Sequence, residues 1–61
     1  MAFEHGDRVQ DTRSGHTGTV HTFNLSPAER AEGCAEAEVR WDNSCVADEL
    51  AVAEHNGLRP A

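Results

Sequence analysis

The chain has 61 residues and a mass of 6.6 kDa, with five Arg, no Lys, eleven acidic residues and four His, for a formal net charge of −6 and a pI near 4.9. This length admits one domain, residues 1–61, and a domain of about 60 residues buries only about 60% of its unfolded surface, so its core is thin. No run approaches the roughly 20 apolar residues of a membrane span, and acids outnumbering bases by eleven to five disfavours duplex nucleic acid as a partner.

Glycines and turn residues punctuate short segments from end to end, which predicts a mostly β domain. The first strand is expected over 7–11, centred on Val9, with a polar turn through Thr12, Arg13, Ser14 and Gly15. The second, over about 16–24, carries Thr17, Thr19, Val20 and Thr22. Alternation puts Val20 on one face and His21 with Phe23 on the other, so burying both Val20 and Phe23 would require a bend or bulge. Ser26-Pro27-Ala28-Glu29 is a capping box with proline at the first helical position, and Gly33 stands where the helix would stop. The segment between, 27–32, has almost no apolar face and is expected to be a solvated excursion.

The third strand, over 36–42, alternates cleanly. Ala37, Val39 and Trp41 share one face, and Glu36, Glu38, Arg40 and Asp42 the other. Asp42-Asn43-Ser44 reads as a tight turn. A fourth strand is expected over 45–50 with Cys45 buried in it, then a helical turn over 52–56 ended by Gly57, then a last strand at Leu58-Arg59-Pro60. The two cysteines, with ten residues between them, match neither a zinc ribbon nor a disulfide scaffold and are expected to be reduced, with Cys34 exposed. The layout is mainly β: a five-stranded SH3-like barrel with a short helical turn in the strand 2–3 loop and a 3-10 turn before the last strand.

The elements Gly6-Asp7-Arg8-Val9, Gly18-Thr19-Val20, Val39-Arg40-Trp41-Asp42 and Leu58-Arg59-Pro60 resemble small SH3-like domains of the KOW and Tudor kind. That resemblance implies a domain that binds RNA, DNA or protein segments, or sits inside a larger assembly. A second resemblance, carried by Phe3, Gly6-Asp7-Arg8-Val9 and Asn24-Leu25-Ser26-Pro27, is to the plasmid-encoded type II dihydrofolate reductases. It implies SH3-like barrels assembled as a tetramer around one active pore. The catalytic motif does not carry over. That family's fourth strand holds Val-Gln-Ile-Tyr where this chain has Cys45-Val46-Ala47-Asp48, and its pore lysine is replaced by Gln10, Asp11 and Thr12, with Arg13 as the nearest cation. An anionic cofactor would meet Asp11 and Asp48 instead.

Chemistry-bearing residues are sparse. His16 and His21 fall on opposite faces of a regular strand, and His5 and His55, near the two ends, make at most a pair, with Cys34 as the one further candidate ligand. Ser14, Ser26 and Ser44 have turn or cap roles, and the glutamates read as solvated faces. No catalytic residue, metal or cofactor is assigned. Trp41 is expected in the core, whereas Phe23 fits core or surface. If strands two and three pair, His21 and Phe23 share an outer face with Glu38 and Arg40, and an exposed aromatic flanked by Arg is a typical interface hot spot. Arg13, His21, Phe23 and Arg40 are therefore the candidate binding residues. The expected function is a small, non-catalytic, cytoplasmic interaction module that self-associates or joins a larger assembly. The alternatives are a KOW- or Tudor-type nucleic-acid accessory, with Arg8, Arg13, Arg40 and Arg59 converging, and an oligomeric pore enzyme.

Overall fold

Strands form where β-branched or small apolar residues alternate with polar ones. The computed structural model, which describes residues 3–61, contains five of them. In chain order the elements are β1 (Arg8–Asp11), β2 (Thr17–Thr22), α1 (Pro27–Ala31), β3 (Ala37–Trp41), β4 (Ala47–Glu49), α2 (Leu50–Asn56) and β5 (Leu58–Pro60). All strands belong to one antiparallel sheet in the order β4-β3-β2-β1-β5. No described helix is long and apolar enough to cross a membrane.

The register decides which residues meet. Val20 lies opposite Val39, and Val9 opposite Gly18. Their common face is closed over by Phe3 and by Leu50 and Ala53 of α2, giving a core of Phe3, Val9, Val20, Ala37, Val39, Leu50 and Ala53, with Trp41 and Leu58 packed against it. Only Val9, Val20, Val39 and Leu50 are buried almost completely, each contributing roughly 1.5–3 kcal/mol of apolar transfer. Gly18 sits where β3 presses closest. A Cβ there would come within 2.7 Å of the Arg40 carbonyl oxygen and 2.9 Å of Val39 Cγ1, so no larger residue fits without moving the strand.

The excursion between β2 and β3 forms as its caps dictate. The Ser26 hydroxyl accepts the Glu29 N–H at 3.2 Å, while the Glu29 carboxylate accepts the Ser26 N–H at 3.1 Å. At the other end Gly33 takes φ +79°, its N–H bonds the Arg30 carbonyl and the Cys34 N–H bonds the Glu29 carbonyl, a Schellman motif. Helix α1 buries none of its residues.

The structure departs from expectation in three places. The fourth strand is only three residues long and fully exposed, and Cys45 lies in the preceding loop, exposed like Cys34, both thiols free. Leu50 is drawn out of that strand into α2, where it and Ala53, three positions apart, both reach the core. The expected 3-10 turn over 52–56 is thus a seven-residue α-helix starting at Leu50. Finally, His5 and His55 do not pair across the chain ends. The segment before β1 folds back on β2 through Gly6 N–H to the Val20 carbonyl at 2.8 Å, and His5 meets His21 instead.

Candidate functional site

The outer face of the sheet carries residues of opposite parity to the core. Arg8 lies opposite Thr19, Thr19 opposite Arg40, and His21 opposite Glu38. His21 and Phe23 therefore point away from Val20, as alternation requires, and no bulge turns Phe23 inward. It is half-buried and absent from the core cluster. Its ring meets His21 edge-on at 5.0 Å, and His21 meets His5 in the same manner at 4.8 Å. The Thr22 N–H donates to His5 Nδ1 at 3.1 Å, an arrangement that places the proton of the neutral His5 ring on Nε2. These three rings form an aromatic strip along the β2 end of the face.

Arg40 shares that face but turns its guanidinium onto Glu38, Nε to Oε2 at 2.6 Å. Arg13 does not join the group. It lies in the β1–β2 turn, separated from Phe23 by the length of β2, and caps its own turn through Asp11. Of the four candidate residues, the fold brings together His21 and Phe23, sets Arg40 diagonal to His21 but four positions along β3 from the residue facing Phe23, and leaves Arg13 at the opposite end.

Near that opposite end lies an ion-pair network invisible to local pattern. Arg8 Nη1 donates to Asp42 Oδ1 at 2.8 Å and to Thr19 Oγ1 at 2.7 Å, Arg8 Nη2 bonds Asp42 Oδ2, and the Thr17 hydroxyl donates to the same carboxylate at 2.8 Å. The Arg8 bonds, then the Thr17 hydroxyl, hold the Asp42 carboxyl down at about 2. The Arg13 and Ser14 N–H groups likewise lower Asp11, the Arg13 N–H being the larger influence. With Arg30 on Glu36, four of the five arginines are engaged by the chain's own carboxylates, and Arg59 bonds the Gln10 side chain.

Among the described residues, two grooves are of note. The smaller, about 220 Å³, lies between β3 and α2 and is lined by Glu36, Glu49, Leu50 and Glu54 among others. The larger, about 390 Å³, runs between the β1–β2 and β3–β4 turns and is lined by Asp11, Ser14, His16, Trp41, Val46 and Asp48 among others. Trp41 is half-buried rather than fully in the core, because its Nε1–H donates to Asp48 Oδ2 at 2.9 Å on the edge strand. No family model, curated protein or solved structure matches this chain.

Proposed function

We propose that this chain is a small SH3-like, non-catalytic interaction module that works by self-association, alone or inside a larger assembly. The strand order β4-β3-β2-β1-β5 with a short helix before the last strand supports the SH3-like reading. The observation that carries the functional reading is the placement of Phe23. In a chain with only three aromatic residues besides its histidines, one of them stands outside a seven-residue core, set edge-on against His21. A module with so small a core gains the burial it lacks from a neighbour's surface. Four of the five arginines, already paired with carboxylates, favour protein over phosphate as the partner.

Light scattering across a concentration series tests this reading. The expected mass is a multiple of 6.6 kDa that returns to the monomer value in Phe23→Ser, a substitution outside the core. A monomer at every concentration overturns it.

A further inference from the structure

The larger groove has a composition that Phe23 and the outer face do not explain. Its wall is the chain's single tryptophan, Trp41, whose position is fixed twice. Gly18 lies against the indole, where a Cβ would come within 3.0 Å of Cε3, and the indole N–H is tied to Asp48. That bond occupies Asp48 Oδ2, and Oδ1 accepts no hydrogen bond among the described residues, so one oxygen of an oriented, exposed carboxylate remains available beside an aromatic ring. Asp11 adds a second carboxylate, already engaged by the Arg13 and Ser14 N–H groups and by the Arg13 guanidinium. Asp48, unlike Asp11, pairs with no arginine among the described residues. Val46, 64% exposed, supplies an apolar rim where solvent would normally claim a polar side chain.

An aromatic wall, an oriented carboxylate and an apolar rim together fit a planar, weakly hydrated cation. Guanidinium satisfies all three: it stacks on indole, forms paired hydrogen bonds to a carboxylate and lays its methylene stem on apolar surface. The ammonium of lysine meets the charge but not the planar geometry. We infer that the Trp41–Asp48 groove takes an arginine side chain of a protein partner. The inference rests on the reading of the chain as an interaction module and names the partner's chemistry at a surface distinct from Phe23. Complementary charge selects this occupant over an apolar one, since the chain carries −6 overall and the Asp48 carboxylate of the groove is neutralised by none of the chain's salt bridges among the described residues.

With one Trp and no Tyr in the chain, Trp41 reports its own site. The probe is a blocked arginine–glycine repeat peptide, compared with peptides carrying lysine or the neutral isostere citrulline in place of arginine. Tryptophan emission and the NMR signal of the Trp41 indole N–H are followed together. Expected is a saturable response to the arginine peptide below about 1 mM, roughly tenfold weaker with lysine and lost with citrulline. Asp48→Asn, on an exposed edge strand, is expected to weaken binding about tenfold or more, because it removes the charge and leaves the fold intact. Glu54→Gln, which removes the same charge at the other groove, is expected to leave it unchanged. No saturable response, equal responses to arginine and citrulline, or equal losses in the two variants overturns the inference. The native mass is read on the same samples. A self-association that depends on Phe23 while the peptide fails to bind removes this inference and leaves the module reading standing.

Discussion

Asp42 occupies the last outward position of the third-strand alternation, just where the chain leaves β3 for its turn. Its carboxylate is met by the Arg8 guanidinium from β1 and the Thr17 hydroxyl from β2, so one side chain ties three strands at one end of the sheet. The carboxyl titrates at about 2, against an ordinary value near 3.9 in the unfolded chain. A carboxyl lowered by folding contributes stability that is complete above the unfolded value and is lost as pH falls through the folded one. Thermal melts are therefore expected to hold a steady midpoint from pH 7 to about 5, then to fall between roughly pH 4 and 2. Asp42→Asn should lower the midpoint at pH 7 and flatten that acid limb. The limb will not vanish, because Asp11 and Glu29 are also lowered, by the Arg13 and the Ser26 backbone N–H groups respectively. An acid limb as steep in the variant as in the wild type would show that the Arg8–Asp42 pair does not form in solution.

The two helices of this fold owe their existence to different forces, and their variants should separate cleanly. Helix α1 is made by its ends, the capping box and the Schellman motif, and buries nothing. Helix α2 has no side-chain cap at its start and is held by Leu50 and Ala53 in the core. Replacing a capping serine costs a helix about 0.5–2 kcal/mol, but in Ser26→Ala that loss frays an excursion the core does not need. Leu50→Ala should cost about 2–5 kcal/mol, as much as a domain of this size commonly has to lose. Denaturant melts are expected to show a nearly unchanged midpoint for Ser26→Ala and a largely unfolded Leu50→Ala. Equal shifts would contradict the division of labour between caps and core. The same contrast explains what was legible in the residues. Caps are local and announce themselves, as does the alternation of Ala37, Val39 and Trp41, so α1 and β3 are predicted almost to the residue. Cys45 to Leu50 is strand-like in composition, yet its fate is decided by a distant core that needs Leu50, and Cys45 and Val46 are left with nothing to pack on. Parity puts His21 and Phe23 on one face but leaves open whether a bend turns Phe23 inward, which the uninterrupted β2–β3 register decides. The Arg8–Asp42 pair and the Trp41–Asp48 bond depend on strand order and on the path of the edge strand, which no local pattern records.

At the scale of the whole molecule the dominant electrostatic fact is the surplus of acid. The chain measures 35 × 22 × 18 Å, while the screening length is about 30 Å at 0.01 M salt and about 10 Å at 0.1 M. At low salt every carboxylate therefore feels the others across most of the fold, and the net charge of −6 opposes compaction. Four ion pairs act in the other direction, but each leaves its arginine about half exposed or more, with Arg13 and Arg40 side chains 63% and 57% accessible. Exposed pairs contribute a median of about 0–1 kcal/mol each and weaken with added salt. The sign of the salt effect thus weighs a long-range repulsion spread over the unpaired acids against a few short, weak attractions. Screening removes the long-range contribution first, because the paired charges are in direct contact, well inside the screening length at either salt concentration. The thermal midpoint at pH 7 is accordingly expected to rise between about 0.01 M and 0.2 M sodium chloride. The same rise should follow from Glu32→Gln, which removes one exposed charge from the excursion. A midpoint that falls with salt would mean the Arg8–Asp42 network outweighs the field of the whole chain.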